Sequence, residues 1–156
     1  ASEDSASQRA AAIYSAAIRE IVLQGNSFKE GRNPFDILYI LDQADSAAAA
    51  TGRRQGEREP IPEEVQEGIK EALEELGPIE FVSDSDSVIG SPRKGSQVKN
   101  NGALITLGTI PAHKNRIKLG MNMYIANLAA VWLTYIIKRK QDRWVVTGTT
   151  GPTAIS

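Results

Sequence analysis

The segment 116–146 constrains the fold more than any other part of the sequence. Residues 116–125 alternate between apolar and polar side chains, which is typical of an antiparallel strand with one buried face. Residues 128–139 are apolar on both faces and rich in β-branched and aromatic types, which favours a central strand over the alternative, a helix across 127–135. Residues 143–147 are expected to pair back across a charged tip at 138–143. The segment therefore predicts an antiparallel sheet that ends in a long hairpin.

Two earlier segments show the apolar spacing of amphipathic helices. Residues 5–23 carry an apolar stripe, and Ser5 with Gln8 would form a capping box. Residues 62–76 have a second stripe, and Pro62 is a suitable first helical residue. The glutamates of this second helix are expected on its solvated face.

The remaining elements complete an α+β pattern. Further strands are predicted at 36–41, 79–82 and 103–110, with long mobile loops near 42–60 and 83–102. Strands follow one another in the second half without a crossover helix. The sequence therefore predicts a single α+β domain over 1–156, a curved, mainly antiparallel β-sheet with two helices packed on one face. The residues expected in the core are Ile18, Val22, Leu38, Ile40, Ile69, Leu73, Phe81, Ile105, Leu107, Leu119, Met121, Met123, Val131, Leu133, Tyr135 and Val145.

The composition excludes several kinds of chemistry. The 156 residues include no cysteine and one histidine, which excludes thiol catalysis, iron–sulfur clusters and multi-histidine metal sites within one chain. The formal net charge of −1 argues against a duplex nucleic-acid binder, which normally has a basic excess. No cofactor is predicted, because the run Gly148-Thr149-Thr150-Gly151 lacks the lysine and following helix of a phosphate loop. The apolar stretch 128–137 is shorter than the roughly 20 residues of a transmembrane helix.

The first residues bear on the expected location. Residues 1–5 are small and polar and begin with alanine rather than methionine. They fit a mature secreted chain or lipoprotein after signal removal, or a boundary chosen for expression. The expectation is a secreted or cell-surface protein.

The sequence contains one dense run of oxygen ligands and a lone histidine. Asp84 and Asp86, with Asn100 or Asn101, could supply ligands to a hard cation such as Ca²⁺. The spacing is not that of an EF-hand, and runs of Ser and Asp also suit solvated loops, so no metal site is predicted. His113 lies in a turn without a predicted orienting partner. No catalytic residue is assigned.

Two basic clusters lie at the ends of predicted hairpins, residues 113–118 and Lys138-Arg139-Lys140 with Arg143. On one side of the sheet they would bind an anion, an acidic partner or a membrane surface. The alternative, which the sequence favours, is that charged tips keep long strands soluble and block pairing at sheet edges.

A second candidate site depends on convergence inside a curved sheet. A desolvated carboxylate there could act as a general base with a raised pKa. The residues that could converge there are Asp36, Asp42, Asp45, Tyr39 and Tyr135. The sequence favours the alternative for Tyr39 and Tyr135, that they are core residues whose hydroxyls reach a boundary. The side chains predicted to contact a ligand are Tyr39, Tyr124, Trp132 and Tyr135.

The C-terminal hairpin resembles the closing hairpin of cone-shaped NTF2-like and cystatin-like α+β domains. In those domains a long strand ends in charged residues, turns, and returns with a tryptophan. The residues that carry the resemblance are Asn127-Leu128-Ala129-Ala130, Trp132-Leu133-Thr134-Tyr135-Ile136-Ile137-Lys138-Arg139 and Asp142-Arg143-Trp144-Val145-Val146. The chain also looks like uncharacterised bacterial secreted or lipoprotein domains, on segments 13–19 and 102–108. NTF2-like folds include isomerases, hydrolases, ligand binders and protein-binding modules, so the resemblance implies a fold rather than a function.

The sequence favours an extracytoplasmic binding or interaction module without catalytic activity. Its partner is an unknown protein or small-molecule ligand, and a homodimer through the apolar segment 128–137 is an option. The alternative is a small-molecule enzyme or ligand carrier with a pocket on the concave face of the sheet. Such a pocket would be lined by residues such as Met123, Tyr124 and Trp132, with one or two inward carboxylates.

Overall fold

The computed structural model describes residues 2–23, 35–49, 56–90, 97–111, 114–126, 129–141, 143–151 and 154–155. The elements follow in the order α1 (Ser2–Leu23), β1 (Ile37–Leu41), β2 (Gln43–Asp45), β3 (Arg58–Pro60), α2 (Glu63–Ala72), a 3₁₀ turn (Glu74–Leu76), β4 (Ile79–Val82), a second 3₁₀ turn (Lys99–Asn101), β5 (Gly102–Leu107), β6 (Arg116–Ala126), β7 (Ala129–Lys140), β8 (Arg143–Thr149) and β9 (Ala154–Ile155). Among these residues, neither helix is long and apolar enough to cross a membrane.

In the described part of the chain, the main sheet has the strand order β4-β1-β5-β6-β7-β8, and β9 also pairs with β7. β1 runs parallel to β4 and to β5, whereas the later pairs are antiparallel. α2 lies between β1 and β4 in the chain and provides the crossover that a parallel pair requires. The sheet is mixed, mainly antiparallel and open, so the predicted α+β fold is confirmed.

Period-two alternation decides which side chains of the sheet meet the helices. In β6 the buried residues are Ile117, Leu119, Met121 and Met123, and they lie opposite Ile137, Tyr135, Leu133 and Val131 of β7. These side chains form one core cluster with the apolar stripes of both helices. Each fully buried Ile or Leu side chain contributes roughly 1.5–3 kcal/mol relative to an exposed one. The helices therefore cover one face of the sheet, as predicted, and we call it the helix-covered face.

The predicted core is confirmed apart from two residues. Phe81 is half-buried at the border of the cluster. Val145 lies opposite Lys138, on the face away from the helices, so its place in the predicted core is wrong. The hairpin register instead sends its neighbours Trp144 and Val146 toward the helix-covered core. A one-residue difference in register moves a side chain to the other face.

The second face of the sheet carries a smaller cluster. Tyr39 of β1 and Leu104 of β5 pack there against Val88 and Val98. The two valines belong to the connection from β4 to β5, which crosses β1 because β1 lies between those strands. The sequence predicts this connection, 83–102, as a loop with little apolar content. In its described residues it is instead anchored to the sheet through buried valines.

Two local predictions are corrected by the structure. α1 begins at Ser2, so Ser5 lies inside the helix and not at a capping position. The segment 42–60, predicted as a loop, contains a ribbon in which β2 and β3 pair antiparallel. β7 is a strand throughout, as predicted, and the helical alternative for 127–135 is wrong over its described residues.

Candidate functional site

The strand register brings cationic side chains from both basic segments onto one face of the sheet, whereas Arg139 lies opposite Trp144 and belongs to the other face. Arg116 of β6 lies directly opposite Lys138 of β7, and Lys140 of β7 lies opposite Arg143 of β8. Lys118 follows Arg116 by two residues, so its side chain points to the same face. This face is the second face, because the intervening residues of both long strands are buried against the helices. We call these five cationic side chains the basic patch.

The basic patch is open to solvent. Four of its side chains are exposed and Lys138 is half-buried. The ion pair between Arg19 and Glu75, at 2.6 Å, and the ion pair between Arg58 and Asp45, at 3.8 Å, do not involve the patch. Neighbouring strands lie about 4.8 Å apart, so opposing cations are well within the screening length of about 8 Å at physiological salt. Because the chain has a net charge of −1, the patch is a local excess of positive charge.

Apolar side chains adjoin the basic patch on the same face. Ile136 lies opposite Lys118, and Val145 lies opposite Lys138. Both apolar side chains are half-buried. The face therefore offers a partner both positive charge and apolar contact area.

A strap formed by residues 46–49 covers the middle of β6 on the same face. The Asn122 side-chain amide donates a hydrogen bond to the Ala48 carbonyl at 2.7 Å. Ala49 lies so close to Gly120 that a Cβ at position 120 would come within 3.0 Å of the Ala49 Cβ. Along β6 the strap separates the basic patch from the small cluster around Tyr39.

Asp45 anchors the strap. This residue is buried, with 7% of its surface exposed. Its Oδ1 accepts hydrogen bonds from the backbone N–H groups of Ala47 and Gly56, at 2.8 Å each. Both groups lie in the segment between β2 and β3. The carboxylate therefore stabilises the backbone at Ala47 and Gly56, which is a structural role.

The residues considered as a catalytic group do not all lie on one face of the sheet. Asp36 and Asp42 flank the two ends of β1. Tyr39 belongs to the small cluster on the second face, whereas Tyr135 belongs to the core on the helix-covered face. The sheet itself therefore separates the two hydroxyls.

The four predicted ligand-contacting residues are divided between the two faces. Tyr39 and Tyr124 pack in the same small cluster, and the Tyr39 hydroxyl accepts a hydrogen bond from the Asn100 amide at 2.8 Å. Trp132 is half-buried and lies beside them on the second face, one strand further along. Tyr135 is on the helix-covered face, where burial, with a smaller contribution from a nearby carboxylate, raises its pKa above the ordinary value.

The predicted pocket lining is divided in the same way. Met123 is 1% exposed and faces the helices, whereas Tyr124 and Trp132 face the other side of the sheet.

A groove of about 460 Å³ lies between α1 and α2. Its lining residues are Ser7, Gln8, Ala11, Ala12, Glu64, Glu67, Gly68, Glu71 and Ala72. Glu64, Glu67 and Glu71 of α2 are thus at a solvent-accessible groove, in keeping with the solvated helix face predicted for them.

The run of serines and aspartates forms a local turn. Asp84 Oδ1 accepts a hydrogen bond from the backbone N–H of Ser87 at 2.8 Å, a common way for Asp to stabilise a turn. Asn100 and Asn101 have positive φ values of 59° and 55°, which Asn tolerates better than most residues. Within the described ranges, no three acidic, histidine or cysteine side chains are grouped closely enough to hold a metal ion. His113 lies outside the described residues.

The chain was compared with protein-family models, curated proteins and solved structures, and none of them matches. The resemblance of the hairpin to NTF2-like and cystatin-like domains therefore stays a prediction.

Proposed function

We propose that this protein is a binding module without catalytic activity, and that it holds a negatively charged partner against the basic patch. One observation carries the proposal: the strand register assembles five cations from two separate segments on one open face. Cations presented by a preformed sheet attract an anionic partner and orient it without a conformational change.

The energetics of the sheet support binding over a purely protective role. Like charges directly opposite each other destabilise a strand pair, by an amount on the order of 0.2–1 kcal/mol. Arg116 with Lys138, and Lys140 with Arg143, are two such pairs. Charges that protect a sheet edge belong on the edge strand, whereas most of the patch lies on the inner strands β6 and β7. Edge protection therefore does not account for these residues, and a binding role does.

The shape of the patch favours an extended partner over a small metabolite. The cations spread over three strands, a distance of about 10 Å across the sheet and about 13 Å along it. An enzyme on the concave face would need its tyrosines to converge, and the sheet separates Tyr39 from Tyr135. A carrier pocket there would need its lining on one face, and Met123 and Tyr124 lie on opposite faces. An extracytoplasmic location stays a prediction from the sequence.

Two matched pairs of substitutions test the proposal. Lys138→Gln with Lys140→Gln removes two charges from the patch, whereas Lys70→Gln with Lys99→Gln removes two exposed lysines elsewhere. Both variants have the same net charge. Fluorescence anisotropy with labelled polyglutamate, at low and at physiological salt, measures the affinity. Exposed ion pairs contribute about 0.2–1 kcal/mol each, so we expect the patch variant to bind about twofold to thirtyfold more weakly and the control to bind like the wild type.

Equal weakening in both variants would mean that net charge alone matters, and the patch would lose its role. Failure of the wild type to bind polyglutamate, anionic vesicles and single-stranded DNA would refute the proposed function as a whole. Tighter binding to DNA or vesicles than to polyglutamate would keep the patch as the site and change the class of partner.

A further inference from the structure

The outer edge of β8 presents backbone groups that point away from the sheet. The Arg139 N–H donates to the Asn115 carbonyl at 2.8 Å, on the β6 side of β7. Arg139 and Trp144, which lie opposite each other, therefore form a pair without mutual hydrogen bonds. In such a pair, both the N–H and the C=O group of each residue point away from the partner strand. Trp144 thus directs its backbone groups outward, and so does Val146, two residues further on and opposite Ile137.

This edge has no strand partner in the part of the chain that the structure describes. β8 pairs there with β7 alone, and no backbone hydrogen bond joins Trp144 or Val146 to another described segment. β8 is seven residues long and rich in β-branched and aromatic side chains. A long unpaired edge of this kind is a template for the addition of another strand.

We propose that β8 is the docking edge for an extended peptide segment in which acidic and apolar residues alternate, and that this segment adds to the sheet as a further strand. The inference rests on the proposed function, and it specifies the class of partner and the way in which that partner binds. Backbone hydrogen bonds to Trp144 and Val146 would supply affinity, and the side chains of the added strand would supply specificity.

The position of the cations relative to the edge of β8 explains why the added segment would carry acidic residues. An added strand would lie about 4.8 Å from β8 and about 10 Å from β7. Its side chains on the patch face would therefore lie next to Arg143 and one strand away from Lys138 and Lys140. These distances are comparable to the screening length of about 8–10 Å. Arg116 and Lys118, on β6, would be about 14 Å away and largely screened.

The opposite face of β8 explains why the added segment would also carry apolar residues. Trp144 and Val146 are half-buried at the border of the helix-covered core, and the Arg9 guanidinium lies 5.1 Å from the centre of the Trp144 ring. Alternate residues of an added strand would extend this apolar layer, because successive side chains point to opposite faces. A second copy of β8 is disfavoured as the occupant, since it would place two basic patches on one continuous sheet face.

Amide hydrogen exchange, followed by NMR on ¹⁵N-labelled protein, tests strand addition directly. The probe is a synthetic peptide of alternating glutamate and valine. In the free protein the outward amides of Trp144 and Val146 should exchange rapidly, and saturating peptide should slow both by at least about tenfold. The amide of Val145, which points toward β7, should change little. Arg143→Gln should weaken peptide binding more than Lys118→Gln does.

A matched pair at one position separates the backbone from the side chain. Val146→Pro removes an outward N–H and the valine side chain, whereas Val146→Ala removes only side-chain atoms. One lost hydrogen bond corresponds to about 0.5–1.5 kcal/mol, so the proline variant should bind about twofold to tenfold more weakly than the alanine variant. If the proline variant does not fold, hydrogen exchange on the wild type still tests whether the peptide adds to β8 as a strand.

Peptide binding without protection of Trp144 and Val146 would overturn strand addition and leave the proposed function in place. The absence of binding to any polyanion would overturn both. Protection that grows with protein concentration in the absence of peptide would identify a second copy as the occupant. Protection by anionic vesicles or single-stranded DNA equal to that by the peptide would likewise overturn the assignment of a peptide partner.

Discussion

A close contact between the two helices leads to a prediction in which two effects oppose each other. A Cβ built on Gly68 of α2 would lie 2.8 Å from the Cβ of Ala11 in α1. Carbon atoms in contact prefer about 3.5–4.0 Å, so Gly68→Ala must move the helices apart by roughly 1 Å. Alanine is favoured over glycine inside a helix by about 1 kcal/mol. Overpacking typically costs about 1–3 kcal/mol, and the Ala11 Cβ cannot rotate away because it is attached directly to the backbone.

We therefore expect Gly68→Ala to lower the free energy of unfolding by up to about 2 kcal/mol. Urea unfolding followed by circular dichroism measures this change, and the slope with denaturant should stay constant. Ala11→Gly is the matched partner, because it removes the methyl group that the new side chain would meet. In that background Gly68→Ala should stabilise the protein by up to about 1 kcal/mol, which corresponds to a coupling of about 1–3 kcal/mol. Equal stabilisation in both backgrounds would refute the reasoning, since it would mean that the helices already leave room for a methyl group.

Three further predictions concern stability. Burial raises the pKa of Tyr14 and of Tyr135 above the ordinary value for tyrosine, about 10. The stability that each neutral tyrosine contributes is therefore fully present below about pH 10 and is lost above it, by at most about 1.4 kcal/mol per pH unit for each tyrosine. As the pH rises above 10, the urea midpoint should fall less steeply in the Tyr135→Phe variant than in the wild type. An equal pH dependence in the two proteins would contradict a raised pKa for Tyr135. Asp45→Ala leaves two backbone N–H groups without their acceptor and should cost about 2–3 kcal/mol in urea unfolding, whereas a change within error would exclude the anchoring role. Val98→Ala should cost about 2 kcal/mol because the side chain is buried in the small cluster, and a loss below about 0.5 kcal/mol would be typical of an exposed position.

The local patterns of the sequence were sufficient for the type of most elements. Residues 116–125 alternate with a period of two, and β6 buries the face that this alternation selects. The helical spacing of Val65 and Ile69 similarly places both residues in the core. These predictions succeed because burial of one face is a local requirement, and each strand or helix carries it in its own residue pattern.

Features that depend on contacts between distant segments were predicted less well. Val88 and Val98 lie in a polar stretch whose composition is typical of a solvated loop, yet they are buried because the connection crosses β1. Val145 has the same side chain as Val146, and only the pairing with β7 decides which of the two faces the helices. Neither outcome is encoded in the composition of the segment itself.

The candidate site belongs to this second group. The sequence by itself determined that two basic segments flank long strands, that the chain is α+β, and that alternate residues of β6 are polar. Whether the cations meet depended on the register that sets Arg116 opposite Lys138 and Lys140 opposite Arg143. A slip of β7 by one residue would have sent Lys138 and Lys140 to the helix-covered face. Only the tertiary structure decided the basic patch and the edge of β8 beside it, which has no strand partner among the described residues. Strand pairing is a long-range property that no local pattern specifies.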